Sequence, residues 1–165
     1  MISSLSNSLL IIINNYRGVF MDDYLSIQKI WQDIDFAEYR IIGSSPIITA
    51  TSAVYLSNSL IDDLSSQITR FLNGSVEESC WVSGKRGNDS PACLSLRFLR
   101  KDRLGHIFVE LYMELDDDGG YDNHNCCFFI STEYGLLLNF CNQLPKLKQP
   151  DFFSSIKLNE SSDFS

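Results

Sequence analysis

Apolar and polar residues alternate along several segments of this chain, and the clearest alternation runs through residues 106–115. Because successive side chains of a strand point to opposite faces, this alternation predicts a strand with one dry and one wet face. Sheets built from such strands are typically antiparallel. The inward face is predicted to carry Ile107, Val109, Leu111, Met113 and Leu115, and the outward face His106, Phe108, Glu110, Tyr112 and Glu114.

Shorter runs rich in β-branched and aromatic residues predict the other strands. Residues 36–42 and 47–56 are joined by a Gly-Ser-Ser-Pro linker, so they predict a hairpin. Residues 21–35 fit either the apolar face of a helix or an alternating strand, and both interpretations stay open. The remaining predicted strands are residues 9–13, 76–82, 93–99 and 126–130.

Two segments show the spacing of apolar residues that is typical of a helix packed on a core. Residues 59–72 follow candidate N-cap residues at 57–59 and end at Asn73-Gly74, a common C-cap. Residues 132–144 follow Ser131 and Thr132 and end before Pro145. The strands and helices do not alternate regularly. We therefore predict an α+β fold, in which an antiparallel β-sheet carries two α-helices on one face.

The length of 165 residues fits one domain with its own core. We expect this domain to span residues 1–150 and residues 151–165 to form a polar, partly mobile tail. The apolar run at residues 9–13 is too short for a signal peptide, and no Lys or Arg precedes it. The sequence therefore predicts a cytoplasmic protein.

The net charge of −8 and the sequence pI of about 4.6 change the range of expected partners. A nucleic-acid binder needs a basic stripe to neutralise phosphates, and an anionic membrane also attracts basic surfaces. We therefore predict binding to neither nucleic acid nor membrane. Two interpretations of the acidity remain, namely solubility alone and a basic protein partner. The sequence does not indicate an oligomeric state.

The cysteines, histidines and acidic residues do not form a recognisable catalytic or metal-binding motif. Five cysteines, two of them adjacent, predict reduced thiols rather than a disulfide framework. Cys126 and Cys127 would point to opposite faces of a strand, so they do not suit a zinc site beside His124. Consecutive aspartates at 116–118 lack the spacing of a calcium loop. We expect no catalytic residues, no cofactor and no metal.

The outward face of residues 106–115 is the candidate binding surface. Phe108 and Tyr112 alternate there with carboxylates, as in many protein–protein contacts. The adjoining loop adds further carboxylates. The predicted partner-binding residues are Phe108, Glu110, Tyr112, Glu114, Asp116, Asp117, Asp118 and Asp122. The alternative is that a helix or the N-terminal strand covers this face.

Four stretches together resemble a known family. Residues 104–111 (LGHIFVEL) open a strand with a Gly-His pair, and residues 131–144 (STEYGLLLNFCNQL) end on a helix with a Gln-Leu pair. Residues 53–56 (AVYL) and 71–77 (FLNGSVE) flank the first predicted helix. Over roughly residues 36–147 this order is similar to that of the WapI-type immunity proteins, which are encoded beside wall-associated, contact-dependent bacterial toxins.

The resemblance implies that the protein binds a toxin domain inside the producing cell and blocks it, without catalysis. Toxins of this kind are often basic nucleases, which an acidic inhibitor suits. Two other functions stay open. An acidic secretion chaperone would have a similar length and fold class, and a small Cys-dependent hydrolase would need a dyad such as Cys93 with His106.

Overall fold

Nine strands of the described residues pair into two antiparallel sheets around one core. The computed structural model describes residues 10–13, 22–86, 92–114, 124–151 and 153–159. Sheet 1 has the spatial order β1-β4-β3-β2-β9 and sheet 2 the order β5-β6-β7-β8. Sheet 1 consists of β1 (Leu10–Ile13), β2 (Tyr24–Gln32), β3 (Ala37–Ser44), β4 (Ile48–Leu56) and β9 (Ser155–Leu158). Sheet 2 consists of β5 (Glu78–Ser83), β6 (Leu94–Arg100), β7 (His106–Glu114) and β8 (Asn125–Glu133).

Two α-helices complete the core. Helix α1 (Asn58–Leu72) connects β4 to β5, and its N-cap is Ser57, whose Oγ accepts a hydrogen bond from the Leu60 N–H. Helix α2 (Tyr134–Gln143) follows β8 directly and continues as a 3-10 helix, Leu144–Lys148. The predicted caps Ser131 and Thr132 are wrong for α2, because β8 runs on to Glu133 and leaves no separate capping loop.

The two sheets each bury one face, and these inner faces meet. A Cβ added to Gly43 of β3 would lie 2.0 Å from Leu111 Cδ2 of β7, so only glycine allows this approach. The Ser52 hydroxyl of β4 donates to the Glu114 carbonyl oxygen. Trp81 of β5 is fully buried and donates its indole N–H to the Leu60 carbonyl oxygen of α1. The core is therefore shared by both sheets and the helices.

The predicted α+β class and the antiparallel pairing are confirmed, as is the hairpin of β3 and β4. The strands divide into two sheets instead of the one that was predicted. Alternation cannot reveal this division, since every strand has the same period whichever sheet it joins. Residues 21–35, for which helix and strand both stayed open, supply β2.

The C-terminal segment also differs from the expectation. Residues 151–165 were predicted to be a polar tail, but Ser155–Leu158 pairs with β2 and buries Ile156 and Leu158. Only four residues form this strand, which is too short for a periodic signal to stand out from the polar residues around it. This strand closes sheet 1 beside β2.

Candidate protein-binding surfaces

The outer face of sheet 2 contains the outward residues that were predicted on β7. Phe108, Glu110 and Tyr112 are half-buried there, whereas Glu114 is only 5% exposed. The expectation that Glu114 faces solvent is therefore wrong. Asp116, Asp117, Asp118 and Asp122 lie outside the described residues.

Tyr112 and Glu114 are held by groups from neighbouring segments. The Arg86 guanidinium lies 4.0 Å from the centroid of the Tyr112 ring, and the Tyr112 hydroxyl donates to Glu114 Oε1 at 2.5 Å. Glu114 Oε2 accepts from the Cys93 N–H. Burial, together with the hydrogen bond to Glu114, raises the pKa of Tyr112 to about 12. These two side chains thus tie the end of β7 to Cys93, the residue that precedes β6.

Glu110 and Phe108 are paired as well. Glu110 lies opposite Arg97 of β6, and their side chains form an ion pair at 3.0 Å. The Lys101 ammonium lies 4.9 Å from the centroid of the Phe108 ring, a distance at which a cation–π attraction is expected. Phe108 also packs edge-on against Phe129 of β8, with ring centroids 5.9 Å apart. Glu110 and the rings of Phe108 and Tyr112 therefore each have a cation from the same chain beside them.

Phe129 is an exposed residue on this face that the sequence-based surface omitted. Its side chain is 47% exposed, because β8 is an edge strand and its outer face has neighbours on one side only. The signal was present in the sequence, since Cys127, Phe129 and Ser131 alternate with buried residues. The same alternation that predicts the outward residues of β7 therefore also predicts that Phe129 of β8 faces outward.

A second surface lies where β2 turns into β3, and we call it the β2–β3 tip. It comprises four exposed apolar side chains and three carboxylates. These are Trp31, Ile34, Phe36 and Tyr55, with Asp33, Asp35 and Glu38.

A β-bulge directs Trp31 into this surface. Lys29 pairs with Tyr39, but Trp31 pairs with Glu38, so Ile30 is an extra residue in β2. Without the bulge Trp31 would follow Lys29 onto the buried face. Because one extra residue reverses the facing of a strand, Trp31 is instead outward and 45% exposed. Its ring packs edge-on against Tyr55 of β4, with centroids 6.5 Å apart.

The turn itself is fixed by Asp33. Its Oδ1 accepts hydrogen bonds of 2.8 Å from the backbone N–H groups of both Asp35 and Phe36, and its own N–H donates to the Phe36 carbonyl oxygen. This arrangement leaves the Ile34 side chain 99% exposed at the end of the turn. An isoleucine held in water by an ordered turn gains no burial in the folded chain.

The inner side of the tip is anchored to the segment that follows α2. Lys29 is buried and its ammonium donates to Gln32 Oε1 and to the Gln149 carbonyl oxygen. Burial lowers the pKa of Lys29, although Asp151 acts in the opposite direction. The Tyr39 hydroxyl donates to the Leu147 carbonyl oxygen at 3.0 Å. The tip is thus held from below by two hydrogen-bonded side chains.

The residues considered for catalysis do not come together. Cys93 precedes β6 and lies level with Glu114, whereas His106 begins β7 at the opposite end of this strand pair. The possible Cys93–His106 dyad is therefore absent. Burial raises the pKa of the Cys93 thiol, and Glu114 adds to this effect. His106 instead binds Asp102 through Nδ1, and this hydrogen bond lowers the pKa of Asp102.

All five cysteines are free thiols, and Cys126 and Cys127 lie on opposite faces of β8 as predicted. Burial raises the pKa of Cys126 to about 11. Among the described residues, no group of three or more His, Cys, Asp or Glu side chains is arranged to hold a metal ion. Neither α-helix in the described part of the chain is long and apolar enough to cross a bilayer.

A cavity of about 180 Å³ lies among the described residues and opens to solvent. Its lining includes His106, Ser131, Glu133 and Asn159.

Comparisons of the chain with protein-family models, with curated proteins and with solved structures found no match. The function is therefore inferred from the residues of this chain and their geometry.

Proposed function

We propose that this protein is a bacterial immunity protein, which binds a cognate toxin domain in the cytoplasm and neutralises it without catalysis. The observation that carries the proposal is the exposure of large aromatic side chains, Trp31, Tyr55 and Phe129, on the outer faces of both sheets. Aromatic residues, above all Trp and Tyr, contribute most to the affinity of protein–protein interfaces.

The charge of the chain supports the type of partner. A net charge of −8 attracts a basic domain and speeds its encounter with this protein. The toxin of an immunity protein is produced in the same cell, so fast association protects the cell. The resemblance of residues 36–147 to the WapI-type immunity proteins leads to the same proposal.

The predicted contact residues on β7 and in the following loop remain a proposal. What the outer face of sheet 2 offers a partner is chiefly Phe129 beside Phe108, with the exposed carboxylates Glu78 and Glu133. The β2–β3 tip offers a different set of residues. The choice between these surfaces is a separate question from the function itself.

The test uses the gene immediately upstream of the one that encodes this chain. We expect it to encode a large secreted protein with a basic C-terminal domain. Expression of that domain alone should stop growth, and co-expression of this protein should restore growth through a stoichiometric complex. The matched control is Gly43→Val, which is designed to disrupt the contact between the sheets and should not protect. An upstream domain that is harmless, or that stays toxic beside the wild-type protein, would contradict the proposal.

A further inference from the structure

We infer that the β2–β3 tip is the surface that docks on the toxin domain, and that this domain offers an apolar pocket rimmed by Lys or Arg. The inference rests on the proposed function and adds the place of contact. A bulge turns Trp31 away from the core, although tryptophan is among the residues that gain most from burial.

The apolar side chains of the tip lie at one end of sheet 1 and protrude at the turn, where Ile34 is 99% exposed. Trp31, Glu38 and Tyr55 occupy one row across β2, β3 and β4 on the outer face of sheet 1. The turn that carries Ile34 and Phe36 begins one residue pair further along the same strands. A protrusion of this kind fits a concave partner, since burial of Ile34 would remove nearly all of its exposed apolar surface from water.

The tip is also ordered before it binds. Asp33 fixes the turn through hydrogen bonds to two backbone N–H groups, and Lys29 and Tyr39 anchor it from below. An apolar group presented by a rigid turn loses little conformational entropy on binding, which favours affinity.

The charge around the protrusion decides the chemistry of the partner. Asp33, Asp35 and Glu38 flank the apolar side chains, and Arg40 lies further along β3. Asp33 and Asp35 lie directly on either side of Ile34 in the sequence, so the end of the turn is acidic. A second copy of this chain is a poor occupant, because two tips would bring like charges together. A basic rim on the toxin domain is complementary.

The outer face of sheet 2 is less suited to this role. Arg86 covers Tyr112, Lys101 covers Phe108, and Arg97 pairs with Glu110. A partner would have to displace or share these internal cations. At the tip, Ile34 and Phe36 are 99% and 52% exposed, so a partner can bury these two side chains directly.

Binding of the isolated upstream-encoded toxin domain to purified variants of the full chain tests the inference. Trp31→Ala should weaken the dissociation constant about 30-fold, which corresponds to a hot-spot loss of ~2 kcal/mol. Phe129→Ala is the matched control, since Phe129 is 47% exposed and Trp31 is 45% exposed. It should change the dissociation constant less than about threefold. Ile34→Ser and Ile47→Ser form a second matched pair, because both isoleucines are exposed beside hairpin turns.

The charge is tested by Asp33→Asn with Asp35→Asn. Asparagine at position 33 retains the oxygen that accepts the two backbone hydrogen bonds, so the turn is kept while two charges are lost. At low ionic strength association should slow about fivefold. The double variant Glu78→Gln with Glu133→Gln makes the same change in net charge on sheet 2. It should slow association less than about twofold.

The outcomes are distinguishable. Equal weakening by Trp31→Ala and Phe129→Ala, or no weakening by Trp31→Ala, overturns the inference but leaves the immunity function standing. Failure of the wild-type protein to bind the toxin domain overturns both. A dimer of the wild-type protein that dissociates on Trp31→Ala, measured by sedimentation, overturns the inference by assigning the tip to a second copy of the chain.

Discussion

The outer face of sheet 2 and the β2–β3 tip contain the same types of residue, aromatic side chains beside carboxylates, but they differ in what surrounds them. On sheet 2 the aromatic rings of Phe108 and Tyr112 lie under cations from neighbouring segments. At the tip, the rings of Trp31 and Tyr55 pack edge-on and remain 45% and 44% exposed, and Ile34 is 99% exposed. The first surface is stabilised within the chain, whereas the second leaves its apolar side chains for another molecule to bury.

This difference shows that an outward aromatic residue is not by itself a binding residue. Arg86 covers Tyr112 and Lys101 covers Phe108. Strand β6 separates Arg86 from Tyr112 along the chain, and a turn separates Lys101 from Phe108. Whether a cation reaches an aromatic ring depends on the loop that carries it. The contrast between the two surfaces can be tested by comparing stability with affinity.

The largest expected difference is in stability. Tyr112→Ala removes the hydroxyl that donates to the buried Glu114 and removes the ring beneath Arg86. A buried carboxylate that loses a donor is destabilising, so the free energy of unfolding should fall by about 2 kcal/mol. Trp31→Ala removes an exposed side chain and should cost less than about 1 kcal/mol. Urea unfolding of both variants gives the comparison, and equal losses would show that the tip also stabilises the fold.

A smaller effect is expected at alkaline pH. The pKa of Tyr112 is about 12 in the folded protein and about 10 in the unfolded chain, so folding favours the protonated phenol. The resulting stabilisation is complete below pH ~10 and is lost as the pH rises towards ~12. Because Tyr112 is partly exposed, we expect a contribution of no more than about 1 kcal/mol.

Unfolding of wild-type protein and Tyr112→Phe between pH 9 and 12 measures this contribution as the difference that disappears with rising pH. Tyr39→Phe is the comparison, since burial raises the pKa of Tyr39 to about 12 without a carboxylate. Glu114→Gln should shift the pH range over which the Tyr112 contribution to stability is lost. It should leave the corresponding pH range for Tyr39 unchanged. A difference between wild type and Tyr112→Phe that does not change with pH would contradict the pKa assignment.

The strands and helices were largely predictable because alternation and capping residues are local signals. The alternation at 106–115 predicted β7, and the candidate caps at 57–59 with Asn73-Gly74 predicted both ends of α1. Burial of Glu114 was not predictable, because its partners Tyr112 and Cys93 are brought together only by the pairing of β6 with β7.

The β2–β3 tip could not be found from the sequence for a related reason. Residues 21–35 fitted a helix as well as a strand, and in either case Trp31 would be assigned to an apolar face. The single extra residue Ile30 reverses that assignment, and a bulge has no signal in the apolar pattern. In the folded chain the two tryptophans differ clearly, since Trp81 is buried and Trp31 is 45% exposed.

The smallest expected effect concerns the Arg97–Glu110 pair. Their side chains are 39% and 21% exposed, so solvent screens the attraction between them. A double-mutant cycle of Arg97→Ala and Glu110→Ala should give a coupling free energy of about 0.5 kcal/mol that decreases as salt is added. Neither variant should alter binding of the toxin domain by more than about twofold if the partner docks on the tip. A tenfold loss of affinity in Glu110→Ala, with stability unchanged, would instead place the partner on the outer face of sheet 2. The carboxylate would then be shared between Arg97 and a cation of the toxin, and the contrast drawn between the two surfaces would be wrong.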